Sequence, residues 1–197
     1  MKYIVCAVII SFSINLNGQK TKDDAEINFF ENTFLIRNIA SGRYLDLSGY
    51  GPEAQKQNGA NVQLWTLDDG KDRRVKFIPA DDGWFYIRFQ HANVNLDVHG
   101  CYDGKLFCGT YKKDKGANVQ IWSSGNSKPQ QWKIQQVKPG QFIIVNRYSA
   151  KVLDASASNI NKNGCNVQQW TRHGKDNQLW EIIDDKSRRK YTLIQGN

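Results

Sequence analysis

The sequence predicts an all-β fold built from three equal units, twelve short strands arranged with pseudo-threefold symmetry. Three observations predict it. A signature occurs three times, as Gly59-Ala60-Asn61-Val62-Gln63-Leu64-Trp65, Gly116-Ala117-Asn118-Val119-Gln120-Ile121-Trp122 and Gly164-Cys165-Asn166-Val167-Gln168-Gln169-Trp170. A Leu-Asp step precedes each copy, at Leu45-Asp46, Leu96-Asp97 and Leu153-Asp154. An apolar position follows each signature at constant spacing, at Val75, Trp132 and Trp180. Repetition of this strength means that each unit is the same supersecondary piece, and that a site on one unit has counterparts on the others.

The elements follow in order. Each unit opens on a strand-like stretch: Phe34 to Arg37, Phe85 to Arg88 and Phe142 to Val145. The Leu-Asp step and the signature supply the next two strands. The fourth carries Val75 with Phe77, Trp132 with Ile134, and Trp180 with Ile182. Gly and Asn mark the turns, as at Asn58-Gly59 and Asn163-Gly164. No long helical period survives between residues 34 and 184. The Leu-Asp steps and the signature steps are unequal, so the length variation falls between them, in a loop. Twelve strands in three groups suggest closure about an axis, which also removes exposed strand edges.

The chain has 197 residues, enough for one domain with an adequate core. Met1 to Gly18 reads as a secretory signal: Lys2 gives the positive start, Tyr3 to Leu16 is mostly apolar, and Gly18 is a small residue before the cut. The apolar run is too short for a membrane span, and nothing later approaches that length. The protein is therefore expected to be secreted. The formal charge is +8, of which the signal carries only Lys2. The excess is dispersed, and its densest run, Lys186, Arg188, Arg189 and Lys190, reads as a solvated basic tail over 185–197.

Beyond the signal lie Cys101, Cys108 and Cys165. In an oxidising compartment Cys101 and Cys108 could close a small loop. Cys165 stands where Ala60 and Ala117 stand, and reads as a small buried residue. His91, His99 and His173 are scattered, with no metal-ligand spacing, and there is no Cys-x-x-Cys pair. No cofactor or metal is called for. No Ser–His–Asp order and no phosphate-cradling Gly-rich loop stands out. Asp46, Asp97 and Asp154 belong to separate units, which argues against the facing carboxylates of a glycosidase. Asp81-Asp82 and Asp184-Asp185 read as solvated pairs beside turns. The chain is expected to be non-catalytic.

Each unit does present a set suited to a sugar. A carboxylate accepts from neighbouring hydroxyls, an amide both donates and accepts, and a flat ring meets the C–H face. Three Gln-x-Trp copies, each with its Leu-Asp, resemble the ricin B-chain-type lectins, which are β-trefoils. The resemblance covers roughly residues 33–184, in repeats of about 33–83, 84–140 and 141–184, with 19–32 as an N-terminal extension. It implies that the Asp is the main sugar ligand and that the first Trp stacks on the sugar. An Asn before the second Gln-x-Trp completes the set, and the later Trp packs in the core. The third repeat matches in full, with Asp154, Gln168, Trp170, Asn177 and Gln178, and Trp180 as core; His173 lies between the ring and the amide. The second keeps Asp97, Gln120 and Trp122 but has Pro129 in place of the Asn. The first keeps Asp46, Gln63 and Trp65 but has Asp72-Arg73 and Val75 at the later positions. The third site is expected to be the strongest and the first the weakest.

The implied partner is a glycan or polysaccharide, with galactose- or xylose-type sugars as candidates. Two other classes are open. Asp and Trp also hold trefoils together, so the chain could be a protein-interaction trefoil: an inhibitor, toxin-associated module or adhesin. The Cys101–Cys108 loop and Phe29-Phe30 motivate that class. The basic tail motivates nucleic-acid or anionic-polymer binding, the least favoured of the three.

Overall fold

The computed structural model describes residues 29–49, 51–100 and 114–192. The expected signal segment and the Cys101–Cys108 loop lie outside the described residues. Twelve strands form, four to a repeat. The first repeat holds β1 (Phe34–Asn38), β2 (Tyr44–Leu47), β3 (Val62–Trp65) and β4 (Val75–Pro79). The second holds β5 (Phe85–Phe89), β6 (Val94–Val98), β7 (Val119–Trp122) and β8 (Gln131–Lys138). The third holds β9 (Gln141–Asn146), β10 (Val152–Ala155), β11 (Cys165–Trp170) and β12 (Trp180–Asp184). Among the described residues, helical structure is confined to one turn at Gly51–Ala54 and to single 3-10 turns at Lys128–Gln130, Ala157–Asn159 and Asp176–Gln178. No helix among the described residues is long and apolar enough to cross a membrane.

The first and last strands of each repeat close a ring. β1 pairs β4, β4 pairs β5, β5 pairs β8, β8 pairs β9, β9 pairs β12 and β12 returns to β1, all antiparallel. A closed ring leaves no unpaired edge to template aggregation. The middle strands form three hairpins, β2–β3, β6–β7 and β10–β11, one per repeat. This is the β-trefoil that the repeats and the resemblance imply.

The signature assembles the three hairpins. Its Asn residues make a closed ring of amides: Asn61 Nδ2 donates to Asn166 Oδ1 (3.0 Å), Asn166 Nδ2 to Asn118 Oδ1 (2.9 Å) and Asn118 Nδ2 to Asn61 Oδ1 (2.8 Å). Each Asn thus satisfies one neighbour's acceptor with its own donor. The signature glycines sit in the left-handed region, at φ 89°, 84° and 82° for Gly59, Gly116 and Gly164. There each N–H reaches the next hairpin: Gly59 to Ile121 O, Gly116 to Gln169 O and Gly164 to Leu64 O. A side chain would be strained at that φ. At Gly116 a Cβ would also stand 3.3 Å from the Trp170 ring.

The main apolar core holds Trp132, Trp180, Phe34, Phe77, Phe89 and Phe142 fully buried, and a smaller cluster gathers Ile143, Val152 and Leu179. Cys165 lies in the main core, as its exchange with Ala60 and Ala117 predicts, and burial pushes its thiol pKa up. Both flanking segments contribute. Phe29 stacks on Phe77 with ring centroids 4.6 Å apart, and Tyr191 lies 4.6 Å from Phe29. Tyr191 N–H donates to Ile182 O, and Lys190 bridges to Ile183. So 185–191, read as a solvated tail, folds back onto β12. Its charges are partly paired, Lys190 with Glu181 and Arg188 with Asp185.

Candidate functional site

Strand register explains how distant residues form one set. In each hairpin the Asp of the Leu-Asp step is the cross-strand partner of the signature Gln: Asp46 with Gln63, Asp97 with Gln120, Asp154 with Gln168. The Trp lies two residues beyond the Gln, hence on the same face. The alternate residues, such as Leu45, Leu47, Val62 and Leu64, turn to the core. Each hairpin therefore carries Asp, Gln and Trp together, and each Gln Nε2 donates to its Asp Oδ1, at 2.8, 3.2 and 3.0 Å from the first repeat to the third. All three carboxylates are buried, and the three Trp rings are half-buried.

The third repeat brings its whole predicted set together. Asp154 Oδ2 accepts from Asn177 Nδ2 (3.0 Å) and from Gln178 Nε2 (2.9 Å). Gln178 also ties the intervening loop, donating to Thr171 O and accepting from His173 N–H. His173 Nδ1 accepts from Lys175 N–H at 3.3 Å, so the neutral ring carries its proton on Nε2, which lies 3.5 Å from Asp154 Oδ2.

The second repeat is more open. Asp97, Gln120, Trp122 and Gln130 line a cavity of about 240 Å³, completed by Ser123 to Ser127 and Gly100. Pro129 supplies no amide here, so one side of the carboxylate faces the cavity without the donor that Asn177 provides to Asp154. Gln130 keeps the loop-tying part of Gln178: it donates to Ser123 O and accepts from Gly125 N–H. His99 Nδ1 contacts Gln120 Oε1 at 2.8 Å. Burial pushes the Asp97 carboxyl up to about 6, against the lowering pull of Gln120, Gln130 and His99.

The first repeat is built on charge. Arg73 stands where Gln130 and Gln178 stand, and it is as buried as they are. Its Nη2 pairs with Asp46 Oδ2 at 3.0 Å, and its Nη1 engages Asp68 in the loop and Asp72 at 3.3 Å. Asp46 is thereby committed to an internal cation, and the neighbouring Asp72 cannot donate when ionised. Burial raises the Asp46 carboxyl to about 6, partly offset by Gln63 and Arg73.

Two supports were not singled out from sequence. Trp132 and Trp180 donate Nε1–H to Leu96 O and Leu153 O, the carbonyls just before Asp97 and Asp154, at 3.0 and 3.1 Å. Val75 has no such donor. At the end of the opening strand, two of the three repeats also clamp a neighbour. Asn38 Nδ2 donates to Asn177 O (3.0 Å) and Asn146 Nδ2 to Pro129 O (2.8 Å). The equivalent residue facing the first repeat is Phe89, which cannot clamp. The signal was an Asn ending two of the three opening strands, legible only once the strands are aligned.

A trefoil with Asp, Gln and Trp on the face of every hairpin defines a lectin-type module. The model of the ricin-type β-trefoil lectin domain-like family matches residues 24–106 and 104–170, and the chain belongs to that family. No curated protein matches it. Among solved structures it is similar to ThreeFoil, a designed threefold-symmetric protein, at 27% identity over 77% of this chain and 98% of that one, with a TM-score of 0.67. It is also similar to a Macrolepiota procera ricin B-like lectin in complex with lactose: 20% identity, 80% of this chain, 98% of that one, TM-score 0.61. A third similarity is to a Clostridium thermocellum exo-β-1,3-galactanase: 21% identity, 78% of this chain, TM-score 0.66. This chain spans only 30% of that enzyme.

Proposed function

We propose that this protein is a secreted, non-catalytic carbohydrate-binding protein with sugar seats on its second and third repeats. The observation that carries the reading is the shared face. A carboxylate held by an amide lies beside a half-buried Trp at each of these hairpins, Asp97 with Trp122 and Asp154 with Trp170. A sugar laid on the ring meets the carboxylate with adjacent hydroxyls, while Asn177 and the Gln side chains both donate and accept. The lactose complex of the Macrolepiota lectin supports a galactose-type ligand.

The first repeat contributes structure: its Asp46 balances Arg73. Of the Phe29-Phe30 pair that motivates the protein-interaction reading, Phe29 is buried in the core and Phe30 is exposed. The test is a glycan array on the mature protein and on its Asp97→Asn and Asp154→Asn variants. Loss of signal in step with the two substitutions supports the reading; an unchanged array for the double variant overturns it.

A further inference from the structure

The residue before each signature Gly differs among repeats. Asn58 Oδ1 accepts from Ser123 N–H and Oγ–H at 2.6 and 2.8 Å, latching the loop that follows Trp122. Asn163 does the same to Thr66, which follows Trp65, accepting its N–H at 3.0 Å and donating to its Oγ1 at 3.1 Å. In the third instance the residue is Lys115. It faces the loop after Trp170, and its Nζ lies over the Trp170 ring, 5.6 Å from the centroid. An ammonium thus stands at the stacking platform of the third repeat, where the other two repeats place an uncharged amide.

Two more cations border the same seat. Arg172 and Lys175 are exposed on the loop between Trp170 and Asn177, and Lys175 lines a surface groove with Asn177 and Ala157. Several other cations are neutralised: Arg37, Lys56, Arg73, Arg74, Arg147, Arg188 and Lys190 each pair with a carboxylate. Lys115, Arg172 and Lys175 meet none among the described residues. Asp176 shares the groove wall and offsets only one of them. At the second repeat the corresponding loop, Ser123 to Lys128, offers hydroxyls, an amide and Lys128, with Arg88 reaching it from β5 through Ser124 Oγ at 3.1 Å, so two cations border that seat against three at the third.

We infer that the third-repeat seat selects anionic glycans, sulfated or carboxylated, and that Lys115 is the residue that sets this preference. The inference rests on the carbohydrate reading of that seat. Asp154 and Trp170 take the neutral part of the sugar, and the Lys115 ammonium pairs with an acidic substituent at the ring's edge. The second-repeat seat takes neutral glycans.

The test uses the full mature chain carrying Asp97→Asn, so that only the third seat reports. It is read on an array in which neutral oligosaccharides stand beside their sulfated and their sialylated or uronate counterparts. Charged members should bind about five- to tenfold tighter than their neutral partners at low salt, with the preference lost near about 0.5 M salt. Lys115→Asn should abolish the preference, so that charged and neutral partners bind alike; Lys115→Arg should retain it. Equal binding of charged and neutral partners, or a preference that survives Lys115→Asn, overturns the inference alone. Absence of binding to every member, neutral and charged, overturns both the inference and the carbohydrate reading of the third seat.

Discussion

Asp97 carries a cost that its position imposes. Its carboxyl is buried and raised to about 6 from 3.8, so at neutral pH the folded protein holds an ionised group that burial disfavours. The sign follows from proton counting. Between about 4 and 6 the folded state binds a proton that the unfolded state does not, so stability rises as pH falls through that window. Asp97→Asn should therefore stabilise the fold at pH 7, by about 1–3 kcal/mol, with the gain gone by about pH 4. Denaturant titrations of both proteins across that range check it; no gain at pH 7 refutes it. Binding at the second seat should weaken as pH drops through about 6 and the carboxylate becomes a neutral acid.

The paired Trp residues test residue roles in a second way. Trp170 is half-buried on the hairpin face, whereas Trp180 is fully buried and holds Leu153 O. Trp170→Ala should remove most third-seat binding with little change in stability. Trp180→Ala should destabilise by about 3–5 kcal/mol. Thermal melts and glycan titrations of the two variants separate these outcomes.

At the scale of elements, the hairpin is the unit of function and the following turn decides its chemistry. The turn at Asp176–Gln178 delivers Asn177 and Gln178 to Asp154, and Lys128–Gln130 delivers Gln130 alone. The equivalent turn in the first repeat, closed by Arg74 N–H to Lys71 O at 3.4 Å, delivers Arg73 instead, which gathers Asp46, Asp68 and Asp72. Arg73→Ala would leave these carboxylates uncompensated and should cost about 3–5 kcal/mol, read as a lowered melting temperature with glycan binding at the other seats intact. The hairpins were legible in the sequence because Leu-Asp and Gln-x-Trp recur in constant order, and the strand period then puts Asp, Gln and Trp on one face. The fate of the first repeat was legible only in part. Asp72-Arg73 announced a departure, but the reach of Arg73 to Asp46 depends on packing between loops. The clamps by Asn38 and Asn146 join different repeats, so they belong to tertiary contact rather than to local pattern. Phe29 and Tyr191 were likewise hidden, lying far apart in sequence and meeting only in the closed barrel.

Across the whole molecule the symmetry serves the scaffold, and the asymmetry falls at the proposed seats. The ring of Asn61, Asn118 and Asn166 and the three signature glycines treat the repeats alike. The seats do not: one is internally neutralised, one is open, and one is fully lined and bordered by cations. Under the proposed reading, two seats on one domain would give avidity on multivalent glycans, about 10²-fold or more where both can engage. Asp97→Asn or Asp154→Asn alone should therefore weaken retention on a glycan-dense surface far more than it weakens binding of a soluble monovalent sugar. The most direct measurement is glycan binding stoichiometry by calorimetry for the wild type and for Asp46→Asn, Asp97→Asn and Asp154→Asn. The account predicts two sites in the wild type and in Asp46→Asn, and one in each of the other variants. Loss of a site in Asp46→Asn, or two sites persisting in the Asp97→Asn/Asp154→Asn double variant, would contradict it.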